Sequence, residues 1–295
     1  MRLGFVVMLA DRREAGIGSA PTYQQVRARA LAAEEAGWDS IWLYDHLLYR
    51  PDPGVTFGIW ECWTMLSAIA EATHQIDLGS LVVCTQFRNP ALLAKMAATL
   101  DEVSEGRFTL GLGAGWNKPE FEAFGYEWDR RAGRFEEAIQ IIVPLLREGS
   151  VDFEGTYYRA RDCEIRPRGP SPHGPPILIG TRGPRMLAIT ARWADLWNCG
   201  YLREPKDLQE PRSALEQACT DIGRDPRSIG VTVEVVVWYP DLKPSPPSID
   251  AYLDASIADV REAVMSFEAA GVSEVMIQLS PYTDEAFERL TRSLL

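Results

Sequence analysis

Apolar residues follow two spacings along this chain. Short runs such as Leu3–Leu9, Leu78–Cys84 and Phe108–Gly115 are apolar at most positions, which is the pattern of strands buried on both faces. Between the last two runs, Pro90–Ser104 carries Leu92, Leu93, Met96, Ala97, Leu100 and Val103 at helical spacing. Two buried strands joined by an amphipathic helix form a parallel βαβ unit.

The alternation continues from end to end. Further strands are expected at Ser40–His46, Ile177–Gly180, Leu196–Cys199, Ile229–Tyr239 and Glu274–Leu279. Helices are expected at Tyr23–Ala36, Glu61–Thr73, Arg131–Arg147, Pro184–Trp193, Asp207–Ile222, Ser256–Ala270 and Thr283–Leu295. Pro144 should kink its helix or end it early. Eight βα units in 295 residues predict an α/β fold, a TIM (β/α)8 barrel rather than a doubly wound open sheet.

Three segments exceed the usual length of a βα or αβ loop, Arg50–Trp60, Trp116–Arg130 and Gly149–Pro176, and Pro240–Ser248 reads as a Pro-rich surface connector. The third contains a hairpin pattern, Val151–Arg159, around Glu154-Gly155. One barrel domain over residues 1–295 is expected, with insertions at about 116–130 and 149–176 as lid candidates.

Composition narrows the function classes. A chain that is 46% hydrophobic and 24% charged is of the soluble globular type. A net charge of −12 argues against nucleic-acid binding, while leaving room for a local basic pocket. The five scattered cysteines have no C-x-x-C spacing, which fits reduced thiols in a cytoplasmic protein. The run Leu3–Ala10 stops at Asp11-Arg12-Arg13 and reads as a first strand rather than a signal peptide. No run approaches the roughly 18–20 apolar residues of a membrane span. Three dispersed histidines, His46, His74 and His173, with no H-x-H pair, do not make a metal site and argue against a metal hydrolase.

Candidate chemistry sits at expected strand ends, where barrels carry their sites. Asp45-His46 ends the second strand; the imidazole can pass a proton near neutral pH, with Asp45 orienting it or bonding a ligand. A pair that merely caps the next loop is the plainer alternative. Gly111-Leu-Gly-Ala-Gly-Trp lacks the helix and downstream acid of a dinucleotide fingerprint. Its glycines instead let a flat ring approach the backbone, or only form a tight turn. Gly180-Thr181-Arg182-Gly183 enters a helix at Pro184 and offers a phosphate site, or an ordinary turn. Trp60 and Trp116 fall in loops of that face and are candidate pocket walls for a flat apolar ligand.

The run LGSLVVCTQFRNPALLAKMAATLDEVSEGRFTLGLGAGWN, followed by FEAFG, and the phrase PPILIGTRGPRML, followed by ADLWN, resemble the bacterial luciferase-like monooxygenase superfamily. The similarity is greatest to the branch using the deazaflavin coenzyme F420. The resemblance implies a barrel holding a flavin-type ring at its carboxyl face. It implies a cis Leu81–Val82 peptide forming a bulge behind the ring, with Val82, Val83 and Cys84 beside it. By the same likeness Asp45 and His46 match an acid–His pair near the reactive ring edge. Gly180–Gly183 matches a phosphate turn, although most relatives have glycines where Thr181-Arg182-Gly183 stands. Gly115 and Asn117 fall in a cofactor-touching loop. Sugar-phosphate dehydrogenases of that branch carry Glu where this chain has Trp116, and Trp where it has Arg50. An apolar or aromatic substrate is therefore expected, with Arg50 the candidate contact for an anionic one.

The expected activity is F420-dependent hydride transfer to or from a small organic substrate, with His46 exchanging the accompanying proton. The alternatives are a monooxygenase using reduced flavin mononucleotide (FMN) and oxygen, and a non-catalytic flavin-binding protein. Relatives are commonly dimers, so a homo-oligomer is expected.

Overall fold

A computed structural model describes residues 1–11, 19–50 and 54–295. Parts of the expected Asp11-Arg12-Arg13 stop and of the Arg50–Trp60 loop lie outside the described residues. Eight strands form the barrel: β1 (Arg2–Val6), β2 (Ser40–Leu43), β3 (Asp77–Ser80), β4 (Phe108–Gly113), β5 (Ile177–Gly180), β6 (Leu196–Cys199), β7 (Gly230–Trp238) and β8 (Glu274–Ser280). Each pairs in parallel with the next, and β8 closes on β1 with Arg2 opposite Glu274. The fold is a closed TIM barrel.

One indole fills much of the amino-terminal end of the barrel. A Cβ at Gly4 would lie 2.8 Å from Trp42 Nε1, and one at Gly79 would overlap the indole ring. Glycine at these two positions on β1 and β3 therefore makes room for Trp42 on β2. Its buried Nε1 donates to Glu274 Oε1 at 2.9 Å, as a buried indole must.

The outer helices are α1 (Tyr23–Ala36), α2 (Cys62–Ala72), α3 (Pro90–Val103), α4 (Arg131–Arg147), α5 (Pro184–Trp193), α6 (Gln209–Asp221), α7 (Val260–Ala269) and α8 (Asp284–Leu294). Their starts follow the capping rules. Thr22 and Gln25 form a capping box, and Glu61, Asn89 and Asp259 cap α2, α3 and α7. Helix α4 runs on to Arg147 despite Pro144, because a proline in the last turn removes only one hydrogen bond. The expected helix at Asp207–Ile222 opens instead as a 3-10 turn over Pro205–Leu208, and the one at Ser256–Ala270 starts at Val260.

Three departures from the expected pattern shape the carboxyl face. The run Leu78–Cys84 is not one strand. It breaks after Ser80 and resumes as Val83–Cys84 paired with Leu112 and Gly113, and the Leu81–Val82 peptide between them is cis, as the resemblance implies. The expected loop after β4 contains a helix, Lys118–Phe124, ended by Gly125 in the left-handed region. A small antiparallel ribbon, Leu48–Tyr49 with Phe57–Gly58, follows β2. The expected hairpin is present as Ser150–Glu154 and Arg159–Glu164. The Glu137 carboxylate on α4 accepts the turn amides of Thr156, Tyr157 and Tyr158.

Candidate active site

A cavity of about 670 Å³ opens at the carboxyl ends of the strands, within the size range of small-molecule sites. Among the sequence candidates, Asp45, His46, Leu81, Val82, Cys84, Gly115, Trp116, Gly180, Thr181 and Arg182 line it. The structure thus brings strand ends 2, 3, 4 and 5 to one space.

His46 is held by a residue that sequence analysis missed. Its Nδ1 lies 3.0 and 3.1 Å from the two oxygens of Glu120, on the Lys118–Phe124 helix. The Glu120 side chain is 1% exposed, and its Oε2 also accepts the Leu47 amide at 3.0 Å. A carboxylate only accepts, so Nδ1 carries the proton. That leaves Nε2 as the atom free to give or take one. Tyr49 and Trp116 pack on the imidazole at centroid distances of 4.6 and 5.2 Å, the latter edge-on at 76°.

Asp45 does not orient His46, contrary to one reading of the adjacent pair. Its buried carboxylate takes two hydrogen bonds from Arg88, at 2.6 and 3.1 Å, and one from the Cys84 amide at 3.0 Å. Arg88 also bonds Glu61, the N-cap of α2. Successive residues of a chain leaving a strand point apart, so one faces Arg88 while the next faces Glu120. Burial pushes the Asp45 carboxyl above its ordinary range, and Arg88 opposes that shift. Burial alone would lower the Arg88 guanidinium, but Asp45 and then Glu61 raise it overall. Asp45 therefore braces the chain just past the Leu81–Val82 bulge. Burial also pushes the Cys84 and Cys62 thiols up, so neither is a reactive thiolate.

The glycines at the ends of β4 and β5, which line the cavity, also make room for side chains behind it. A Cβ at Gly113 would lie 2.6 Å from Val82 Cγ2, and one at Gly180 would lie 3.1 Å from Val82 Cγ1. These glycines accommodate Val82. A Cβ at Gly115 would meet Phe121 and Cys84 at 2.6 and 2.8 Å. The cavity wall here is made of Leu81, Val82 and Ala114 together with Gly113, Gly115 and Gly180.

The β5 side has another character. Helix α5 opens at Pro184 with no side-chain cap; the amide of its N-cap Gly183 donates to Thr181 Oγ1 at 3.3 Å, and the Arg185 and Met186 amides are the donors at its start. Arg182 donates to the carbonyls of Gly200 and Tyr201 and so ties the β5 and β6 loops together. Arg131, at the start of α4, also lines the cavity, with its guanidinium 3.3 Å from the Trp128 ring centroid.

Five sequence candidates lie outside the lining. Val83 is fully buried in the core. Asn117 donates to the Leu48 carbonyl at 2.8 Å and anchors the ribbon. Gly183 is the N-cap of α5. Trp60 donates to the Pro21 carbonyl at 2.6 Å, and Arg50 Nε lies 3.4 Å from Thr56 Oγ1. No group of three or more potential metal ligands occurs among the described residues.

The chain is 35% identical to a phthiodiolone/phenolphthiodiolone dimycocerosates ketoreductase of Mycobacterium kansasii, over 69% of this chain and 60% of that protein. It is 30% identical to a 5,10-methylenetetrahydromethanopterin reductase of Archaeoglobus fulgidus, over 68% of this chain and 56% of that protein. The matches thus span less than two thirds of these relatives. An F420-dependent secondary alcohol dehydrogenase, solved with an F420–acetone adduct, superposes with a TM-score of 0.80 at 19% identity. It covers 100% of this chain and 99% of its own, and at that identity the likeness concerns the fold. The family model described as luciferase-like monooxygenase matches residues 1–242. With that match over most of the barrel, the chain belongs to the luciferase-like monooxygenase family.

Proposed function

We propose that the protein is a coenzyme F420-dependent oxidoreductase acting on a small organic carbonyl or alcohol. The observation that carries this reading is His46, which lines the cavity with its Nδ1 3.0 Å from the buried Glu120 carboxylate. Two named relatives are reductases, and one neighbour of the same fold is F420-dependent, which supports the choice of chemistry.

The cavity fits such a cofactor. Leu81, Val82 and Ala114 give an apolar wall for a flat ring. Thr181, the open start of α5 and the charges of Arg182 and Arg131 suit a phosphate at the β5 turn. When bound, the deazaflavin supplies or accepts a hydride at C5. His46 Nε2 gives the proton to the substrate oxygen in reduction and takes it in oxidation. Glu120 stabilises the protonated imidazole by facing Nδ1. Asp45, fixed by Arg88, holds the Cys84 amide and with it the wall behind the ring.

Titration with F420 and with FMN tests the cofactor. Tighter FMN binding by more than about tenfold, some 1.4 kcal/mol, would favour the monooxygenase reading of this fold. Turnover no higher than background across a panel of carbonyls and alcohols, unchanged in His46→Ala, would favour a non-catalytic flavin-binding protein.

The five free cysteines support a cytoplasmic setting. No helix among the described residues is long and apolar enough to cross a membrane. A homodimer is proposed from the family resemblance, and light scattering measures it.

A further inference from the structure

We propose that the aromatic wall of His46, Tyr49 and Trp116 selects substrates whose reacting carbonyl or secondary alcohol carries an extended apolar chain. This rests on the oxidoreductase reading above. Trp116 lines the cavity yet is 66% exposed. It is not a loose side chain. Its ring meets His46 edge-on at 5.2 Å and lies 6.4 Å from Tyr49, which is 4.6 Å from His46. Tyr49 and Trp116 thus set aromatic surface beside the proton-exchanging imidazole. A substrate oxygen at His46 therefore has its substituents beside Tyr49 and Trp116.

Charge is arranged to match. Thr181, Arg182, Arg131 and the open start of α5 attract anions on the β5 side. The carboxylate of Glu120 stands directly behind His46 and disfavours an anionic substituent there. Covering the exposed indole with alkyl groups is rewarded in proportion to the apolar area removed from water.

Calorimetric titration of the cofactor-free protein with 2-alkanones of rising chain length tests the proposal. Kd is expected to fall roughly three- to fourfold per methylene over the first few additions. The trend should flatten in Trp116→Ala and persist in Trp116→Phe. In turnover with F420 the same trend should appear in KM, with kcat nearly constant. Cofactor affinity, measured separately, should be the same in Trp116→Ala and wild type. A flat chain-length series in the wild type overturns the proposal. So does a Trp116→Ala protein that loses cofactor affinity and keeps the alkanone trend. Alkanone binding with the stated trend, but no binding of deazaflavin or flavin, would sink the oxidoreductase reading and leave the apolar selectivity standing.

Discussion

The Glu120 carboxylate lies 3.0 Å from His46 Nδ1, although 74 residues separate the two in the chain. This pairing turns Nδ1 to Glu120 and leaves Nε2 for proton exchange. His46→Ala is expected to lower kcat by about 10²–10⁴, the range for a general acid or base. Glu120→Gln should cost less, because an amide oxygen still accepts from Nδ1, but it removes the charge facing a protonated ring. Steady-state kinetics with a pH profile check this. Equal kcat and an unshifted profile in Glu120→Gln would remove Glu120 from the mechanism.

Arg88→Met leaves the Asp45 carboxylate, whose side chain is 0% exposed, buried without its cation. Breaking a buried pair in this way costs about 3–5 kcal/mol. Burial already raises the Asp45 carboxyl, and loss of Arg88 raises it further. A carboxyl raised on folding favours the folded state when protonated. The deficit relative to wild type should therefore be full above the folded value. It should narrow as pH falls towards the ordinary aspartate range near about 3.9. Urea denaturation of both proteins across pH measures it; a deficit independent of pH would contradict the assignment.

Glu34 carries a second, opposite dependence. Burial acts to raise its carboxyl, but the amides of Gln75, Ile76 and His74 lower it overall. Those three bonds, at 2.6, 3.1 and 2.7 Å, secure the turn between α2 and β3. A carboxyl lowered on folding stabilises the protein above its unfolded value, about 4.3, and loses that effect as pH falls through the folded value. Glu34→Gln is expected to cost about 1 kcal/mol near neutrality and to flatten this part of the acid limb. The same acid dependence in variant and wild type would contradict it.

Gly113→Ala places a methyl 2.6 Å from Val82 Cγ2. Overpacking of this kind costs about 1–3 kcal/mol and should displace the cavity wall, weakening cofactor binding. Val82→Ala in the same chain should relieve the clash. The two substitutions are therefore expected to be non-additive in a double-mutant cycle read by thermal unfolding and by cofactor titration. Additive effects would mean that Gly113 and Val82 do not meet.

The barrel was legible in the sequence because its evidence is local. Tyr23–Ala36, Arg131–Arg147, Ile177–Gly180, Pro184–Trp193 and Leu196–Cys199 match the expected bounds. Each buries a face whose spacing is written in consecutive residues, with caps or turns at its ends. Asp45 and His46 were legible as candidates for the same reason, since a polar pair ending an apolar run marks a strand's carboxyl end. Partnership was not. Asp45 bonds Arg88 and His46 bonds Glu120 because β2, the segment after β3 and the helix after β4 converge at the barrel mouth. Glu120 sits on a seven-residue helix, too short to show a hydrophobic period. Gly113 and Gly180 likewise read as strand-end glycines, and their shared neighbour Val82 becomes visible only when β5 packs beside β4. Sequence determined which segments form strands and helices, because burial periodicity is local. The tertiary structure decided which charge faces which, because barrel closure brings together residues far apart in the chain.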